Sequence, residues 1–459
     1  MEKVMSITKL IDGYKKKEFS PVEITKQYLK RMDDIDHKLH AFITITYETA
    51  LAQAKNAEDN YLKGKQLSAL QGVPLSYKDL INTNGVRTTS GSKIKHSYIP
   101  NSDAYVVQKL TQAGAIDLGK TNLHEFAFGI TSTNPFYGAV KNPWNPDNIP
   151  GGSSGGSGAA VCANLGLASI GTDTGGSIRI PASACGVIGL KPTKGMVDTT
   201  GVQGISWTLD HVGPITQNIG DLAIIMNGLT DRLYQEHCHT QISGMRIGVP
   251  RHYFTYHIEP DILLAYQNAL RQLESLGAIL MEIDISSVQT ASEQVFPIAL
   301  AEGASIHENH LRFKLNDFGE DVRAHLEAGK SITAMDYIKA LNWRKKAISE
   351  VDQALTEVDI IATPTLPVSP KQIGVEHVEI DDLQEDIFTS MTRYTRLFSL
   401  TGHPALSIPM GLDTQGMPMG LQLASKYYYE PLLIRSGYAF EQSYLTDFYE
   451  QRQRISQNL

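Results

Sequence analysis

Cysteine is scarce in this 459-residue sequence, which contains only Cys162, Cys185 and Cys238. An odd and sparse set argues against a disulfide framework and is typical of a reducing compartment. The spacing of the three residues also matches no zinc-binding pattern. We therefore expect a protein without structural disulfides or a cysteine-bound metal, located in the cytoplasm.

Long apolar runs and blocks of positive charge are also missing. Residues 1–5 contain no apolar core of a signal peptide, and the most apolar stretch, residues 158–171, is short and rich in glycine and alanine. That stretch predicts buried core rather than a membrane span. The net charge is −8, and the cluster at residues 15–17 (KKK) is more typical of a solvated helix end. The sequence therefore predicts no membrane partner and no nucleic-acid partner.

Helices and strands alternate along the chain in the pattern of an α/β protein. Ser20, Pro21 and Glu23 form an N-terminal helix signal with a capping box. Residues 260–276 predict a helix that Gly277 closes before a strand. No convincing linker interrupts this pattern, so we expect a single domain over residues 1–459. Its predicted parts, in chain order, are a helical cover at 1–66, a catalytic core at 67–230, and the remaining sheet and pocket elements at 231–459.

Glycine is concentrated in residues 151–195. A flexible linker would also be rich in glycine and serine, but this region is interleaved with apolar segments such as residues 187–190 (VIGL). We therefore interpret it as a set of tight turns that bring the backbone close to a ligand.

One short motif in the chain matches the phosphate-binding P-loop. Gly114 is followed after four residues by Gly119, Lys120 and Thr121. A P-loop must follow a strand and open a helix, whereas residues 115–118 are themselves strand-like. Nucleotide binding is therefore the weaker interpretation, and a structural role for the motif is favoured.

A second motif, residues 151–155 (GGSSG), matches the nucleophile elbow of α/β-hydrolases. An elbow needs a strand directly before its serine, which would be Ser153, but residues 145–150 are rich in turn formers. It also needs a histidine in a triad, and among the candidates, such as His211 and His403, none stands out. The context therefore argues against this interpretation.

A longer likeness covers most of the chain. The glycine-rich region (residues 151–195) resembles the amidase signature over its full length, and residues 74–79 (PLSYKD) resemble the segment that carries the catalytic lysine of the same family. Further likeness appears in residues 134–144 (NPFYGAVKNPW), 206–214 (SWTLDHVGP), 362–367 and 400–409 (LTGHPALSIP). The resemblance implies the amidase-signature α/β fold, a large mixed β-sheet flanked by helices on both faces.

By this resemblance, Ser177 is the nucleophile, Lys78 is the ultimate base, and Ser153 relays the proton between them. A lysine can act as a base only when it is neutral, so burial must lower its pKa. The sequence around Lys78 is apolar enough to permit burial. From the sequence alone, a buried ion pair with Asp79 or another carboxylate is the alternative. The resemblance further implies a cis peptide bond between Gly152 and Ser153.

Two glycines before Ser177 allow successive backbone N–H groups to converge, as an oxyanion hole requires. We expect the oxyanion-hole donors to be the backbone amides of Thr174, Gly175, Gly176 and Ser177. We expect supporting roles for four further residues, namely Gly152, Ser154, Asp173 and Arg179. The last two match signature positions that order the loop, and a purely structural ion pair is an equal alternative.

The predicted function is hydrolysis of a small carboxylic amide to a carboxylate and ammonia or an amine, with no metal or organic cofactor. The resemblance leaves open the A subunit of a tRNA-dependent amidotransferase. That subunit carries an acid near the segment matching residues 392–398 (TRYTRLF), where this chain has none, so a stand-alone hydrolase is favoured. A carbamate or ester hydrolase remains open, and the intact triad argues against a non-catalytic binding protein. We place the pocket in residues 127–137 and 300–345, and base rates suggest a homodimer.

Overall fold

The computed structural model describes residues 5–64 and 67–459. Residues 1–4, which belong to the segment without a signal-peptide core, lie outside these ranges, and so does the predicted boundary at residue 66. The helices are α1 Ile7–Lys16, α2 Pro21–Leu39, α3 Tyr47–Leu62, α4 Tyr105–Gln112, α5 Gly155–Cys162, α6 Arg179–Ala184, α7 Ile219–Thr230, α8 Pro260–Ser275, α9 Ala291–Ile306, α10 Glu308–Phe313, α11 Glu320–Lys330, α12 Ala334–Glu357, α13 Ile387–Thr392, α14 Arg396–Thr401, α15 Glu430–Tyr444 and α16 Thr446–Asn458.

The strands alternate with these helices, as the sequence pattern predicted. They are β1 Phe42–Ile45, β2 Pro74–Lys78, β3 Ile116–Thr121, β4 Thr133–Asn134, β5 Gly138–Ala139, β6 Ala168–Asp173, β7 Ile188–Lys191, β8 His211–Thr216, β9 Arg246–Pro250, β10 Ile279–Ile283, β11 Ile360–Pro364, β12 His377–Ile380, β13 Leu383–Asp386, β14 Ala405–Leu412 and β15 Pro418–Ser425.

One eleven-stranded sheet, in the order β1-β3-β2-β6-β8-β7-β14-β15-β11-β9-β10, forms the centre of the described structure. Strands β3, β2 and β6 run parallel, and so do β11, β9 and β10. The strands between these two groups pair antiparallel. The sheet is therefore mixed, and its helices cover both faces, which confirms the predicted fold class.

The N-terminal part is mostly helical but also contributes to the sheet. Ser20 Oγ accepts a hydrogen bond from the Glu23 amide at 3.2 Å, and the Glu23 carboxylate accepts one from the Ser20 amide at 2.8 Å, so the predicted capping box is confirmed. The predicted helical cover over residues 1–66 is interrupted by β1, which pairs antiparallel with β3 at the sheet edge. Its sequence, FITI, is rich in the β-branched and aromatic residues that strands favour.

The helix, glycine turn and strand predicted around Gly277 are also present. Helix α8 ends at Ser275, Gly277 follows with a φ of 91°, and β10 begins at Ile279. A positive φ costs glycine little, so this residue can turn the chain from helix to strand. Strand β3 passes through the P-loop-like motif, and its buried Lys120 donates to Thr83 Oγ1 at 2.9 Å. The structural interpretation of that motif is therefore correct.

The core lies on both sides of the central strands. Strands β6 and β8 are buried along their whole length, because helices cover both of their faces. Burying an aliphatic side chain such as Ile170 or Ile215 stabilises the fold by about 1.5–3 kcal/mol. Since one sheet takes strands from each of the three predicted parts, we propose that the chain is a single domain.

None of the helices in the described ranges combines the length and the apolar character needed to cross a bilayer. The predicted cytoplasmic location stays a prediction.

Candidate active site

The three predicted catalytic residues lie at one edge of the sheet. Lys78 is the last residue of β2, and Ser177 lies in the turn that follows β6. Because β2 and β6 are parallel neighbours, their carboxyl ends meet at the same edge. Ser153 lies just before α5, and the amide of the next residue, Ser154, donates to the Ser177 carbonyl at 3.3 Å. The fold thus brings together residues that are up to 99 positions apart in the sequence.

Lys78 Nζ makes two hydrogen bonds, both to hydroxyl groups. It donates to Ser153 Oγ at 2.7 Å and to Thr172 Oγ1 at 2.8 Å. Sequence reasoning missed Thr172. The signal was its position on β6, five residues before Ser177, at the edge of the sheet where β2 also ends.

The Lys78 ammonium has no carboxylate partner among the described residues. The neighbouring Asp79 instead accepts hydrogen bonds from the amide and the hydroxyl of Thr89, so the predicted alternative of a Lys78–Asp79 ion pair is wrong. Complete burial lowers the pKa of Lys78 to about 7, against the opposing influence of Asp173 and Asp210. A neutral amine, the form that a general base requires, is therefore accessible near neutral pH.

The depressed pKa of Lys78 predicts the pH dependence of any reaction in which this residue is the base. The neutral form accumulates as pH rises through about 7, so kcat/KM should rise about tenfold per pH unit below that value and level off above it. Initial rates from pH 5.5 to 9 would measure the profile, and thermal unfolding at each pH would control for loss of fold. A flat profile across this range would contradict a titrating base.

The Ser177 hydroxyl is not part of the Lys78–Ser153 hydrogen-bond pair. It makes no hydrogen bond with a described residue, and its side chain lines a cavity in which it is 5% exposed. The peptide bond between Gly152 and Ser153 is cis, as the resemblance implied. The predicted proton relay requires a hydrogen bond between the Ser153 and Ser177 hydroxyls, and catalytic hydrogen bonds often form fully only in the substrate complex.

The nucleophile-elbow interpretation of Ser153 does not fit the structure. No strand of the described chain runs into Ser153, which lies two residues before the first residue of α5. His211 contacts the Asp173 carbonyl and Lys191, whereas His403 contacts Thr401 and Asp352. Neither histidine contacts Ser153.

Of the four predicted oxyanion-hole amides, one has a hydrogen-bond partner among the described residues and three do not. The Gly176 amide donates to Asp173 Oδ1 at 2.9 Å, so it is already occupied and does not match its predicted role. The amides of Thr174, Gly175 and Ser177 donate to no other group within the described ranges, which leaves them as candidate donors. Gly176 has a φ of 138°, and a Cβ there would lie 2.3 Å from Thr395 Oγ1, so glycine is required.

Asp173 and Arg179 form a fully buried, bidentate ion pair. Arg179 Nε and Nη2 each donate to the carboxylate at 3.0 Å. Burial alone would raise the pKa of Asp173, but the adjacent guanidinium and its hydrogen bonds hold the pKa well below its ordinary value. Because Asp173 also accepts from the Gly176 and Ile178 amides, the pair fixes the loop that carries Ser177.

Two further predicted supporting residues, Gly152 and Ser154, flank Ser153 in the glycine-rich turn. Ser154 Oγ donates to the Thr172 carbonyl at 3.2 Å and so ties the glycine-rich turn to β6. Gly152 lies so close to Ser132 and Ile130 that a Cβ would come within 2.9 Å of both. Ser154 is thus anchored to β6, and the space at position 152 admits only glycine.

A cavity opens in front of Ser177. Its walls are almost entirely apolar, and the residues that line it are Ala127, Phe128, Gly129, Ile130, Thr174, Gly175, Ser177, Ile205, Val295, Phe296, Ala299, Leu300, His325, Phe388, Thr392 and Arg396. Leu300 and His325 fall within the predicted range 300–345, and residues 127–130 fall within 127–137. Sequence reasoning missed Phe296, Phe388 and Arg396, which pack together only in the fold.

Known proteins are similar to this chain over nearly its whole length. The model of the family described as Amidase matches residues 23–434. The A subunit of the glutamyl-tRNA(Gln) amidotransferase from Nitrosococcus oceani is 36% identical, over 97% of this chain and 98% of that protein.

Solved structures share the fold over a similar extent. A structure reported as "Crystal structure of amidase" has a TM-score of 0.90 at 32% identity and covers 95% of this chain and 99% of its own. A chain from a study of a vestigial protein complex and the origins of an s-triazine catabolic enzyme has a TM-score of 0.92 at 30% identity, covering 96% and 99%. The A subunit of the glutamyl-tRNA(Gln) amidotransferase from Thermotoga maritima has a TM-score of 0.78 at 32% identity, covering 92% of each chain.

The prediction that the protein works without nucleic acid is wrong in light of these relatives. Full-length relatives are subunits of an enzyme named for glutamyl-tRNA(Gln). The net charge of the chain indicates only whether this chain itself binds the phosphate groups of a nucleic acid. It does not indicate whether the chain is part of an enzyme in which another subunit binds the nucleic acid.

Proposed function

The chain belongs to the amidase family, and on this premise we propose that it hydrolyses a carboxamide through an acyl-enzyme on Ser177. Members of the family cleave amide C–N bonds. The main support for an acyl-enzyme on Ser177 is the Lys78–Ser153 hydrogen bond of 2.7 Å, which lies beside a cavity that Ser177 lines. A buried lysine that contacts only hydroxyl groups is suited to accept a proton from a serine.

In the first half of the proposed reaction, Ser177 Oγ attacks the amide carbonyl carbon. Its proton passes to Ser153 Oγ, and the Ser153 proton passes to the neutral amine of Lys78. The carbonyl oxygen becomes an oxyanion that accepts hydrogen bonds from the amides of Thr174, Gly175 and Ser177, and the lack of another partner for these amides among the described residues supports this role. The C–N bond then breaks, and the leaving nitrogen receives a proton from Lys78 through Ser153.

In the second half, water attacks the ester on Ser177. Its proton follows the same path to Lys78, and collapse of the second tetrahedral intermediate returns a proton to Ser177 Oγ. The products are a carboxylate and ammonia or an amine, so the reaction balances without a redox partner.

A second candidate is a glutaminase subunit of a tRNA-dependent amidotransferase. The curated relatives support this alternative better than the stand-alone hydrolase. The cavity gives the opposite indication, because none of the described residues that line it is acidic and could bind the ammonium of glutamine. Both candidates use the same acyl chemistry on Ser177.

Ammonia release would distinguish these candidates. The purified chain is incubated with aliphatic and aromatic amides, with glutamine and with a carbamate. We expect turnover of simple amides by the chain alone, since it contains the proposed proton relay. Turnover of glutamine only, increasing when a partner subunit is added, would favour the amidotransferase role. Absence of ammonia from every substrate would contradict the proposed function.

A further inference from the structure

Arg396 is a buried cation without hydrogen-bond partners at its tip. It is 1% exposed, and neither Nη1 nor Nη2 bonds to any described group. Unpaired N–H donors in an apolar interior destabilise the folded protein, so a buried guanidinium without partners indicates a binding site for an acceptor ligand. Since Arg396 lines the same cavity as Ser177, that ligand would lie next to the nucleophile.

The surroundings hold this guanidinium without neutralising it. Its central carbon lies 4.5 Å from the centroid of the Phe296 ring and 5.8 Å from that of Phe388. Aromatic faces stabilise a cation but leave the N–H groups at its edge free. Burial lowers the pKa of Arg396 to about 10, so the group stays charged at neutral pH.

Nearby carboxylates are engaged elsewhere. Glu385 pairs with Arg393, and Asp386 accepts a hydrogen bond from the Thr389 amide at 2.8 Å. Within the described part of the chain, Arg396 has no ion-pair partner. The cavity therefore combines one free positive charge with apolar walls.

We propose that the substrate carries a carboxylate, which binds Arg396 while its amide carbonyl meets Ser177. A planar guanidinium donates two parallel hydrogen bonds to a carboxylate, and the apolar walls strengthen that pair by excluding water. Because none of the described lining residues is acidic, an amide with a carboxylate but no ammonium fits better than an amino acid. This inference rests on the proposed function, since it identifies the substrate class of the same site.

The test compares matched amides that differ in one charge. Malonamate, succinamate and glutaramate are each assayed against the neutral amide of equal chain length, and glutaramate is also assayed against glutamine. In the wild type, kcat/KM for the best carboxylate substrate should exceed that for its neutral partner by about 10²-fold or more. Glutamine should be the poorer substrate than glutaramate. Equal rates on charged and neutral amides, or a preference for glutamine, would overturn the inference.

Variants assign the effect to Arg396. Arg396→Gln should lose about 10²-fold in kcat/KM on the carboxylate substrate and little on the neutral one. Arg396→Lys keeps the charge but loses the planar fork, so it should fall between the two. Arg393→Gln is the matched control, because Arg393 already pairs with Glu385 and does not line the cavity. An unchanged preference in a folded Arg396→Gln protein would contradict the inference.

A binding measurement separates this inference from the proposed function. Glutarate is titrated calorimetrically into the wild type and into Ser177→Ala, Arg396→Gln and Arg396→Lys. The inference predicts binding to the first two proteins and loss of at least about tenfold in affinity with Arg396→Gln. If no amide is hydrolysed but glutarate binding depends on Arg396, the proposed function fails and the anion site stands. If amides are hydrolysed but glutarate does not bind, the anion site fails alone.

Discussion

Replacing Ser177 with alanine is expected to lower kcat for amide hydrolysis by about 10⁴-fold or more, because the reaction loses its nucleophile. Neither the Lys78–Ser153 pair nor the Asp173–Arg179 pair uses the Ser177 hydroxyl. Substrate affinity and the thermal unfolding temperature should therefore change little. Steady-state ammonia release and differential scanning calorimetry would measure both effects.

Ser436→Ala is the matched control for the loss of a buried serine hydroxyl. Ser436 is completely buried in α15 and donates only to the Leu432 and Leu433 carbonyls of its own helix. The Ser436→Ala variant should therefore keep the wild-type activity. If Ser177→Ala stays active while Ser153→Ala loses all activity, Ser153 is the nucleophile and the proposed mechanism is wrong.

Replacing Lys78 with methionine is expected to lower kcat/KM by about 10²–10⁴-fold, the range typical of a lost general base. Methionine fills a similar volume but cannot accept a proton from Ser153. The variant should also lose the rising limb of the pH profile near 7, because that limb belongs to Lys78. Rates measured from pH 5.5 to 9 would test both effects together.

Lys120→Met is the control for this change. Lys120 is also completely buried, but its ammonium donates to the Ile81 carbonyl and to Thr83, away from Ser153. We expect this variant to keep the wild-type pH profile, whatever it loses in stability. A Lys78→Met protein with an unchanged profile would show that another group is the base.

The sequence predicted that Lys78, Ser153 and Ser177 lie close together better than it predicted the contacts of each. Motif and spacing singled out these three residues as candidates, and the catalytic role of each stays a prediction. They left open whether Lys78 pairs with Asp79. Lys78 is the last residue of β2 and Asp79 begins the turn that follows, and in the fold Lys78 donates to Ser153 whereas Asp79 accepts from Thr89.

Other features depend on contacts between distant segments. The Gly176 amide is turned toward Asp173 by the local backbone, which glycine content alone does not reveal. Phe296, Phe388 and Arg396 come from α9, α13 and α14, and only the packed fold joins them. The edge strand β1 has four residues between two helices, too few for alternation to indicate a strand.

The most direct test of the central claim is to trap the acyl group on the protein. The enzyme is mixed with an activated ester of a carboxylic acid, quenched in acid after milliseconds, and weighed by intact mass spectrometry before peptide mapping. The mechanism predicts a mass increase equal to one acyl group, located on the peptide that contains Ser177 and absent from Ser177→Ala. An adduct on Ser153, or hydrolysis in Ser177→Ala at the wild-type rate, would contradict it.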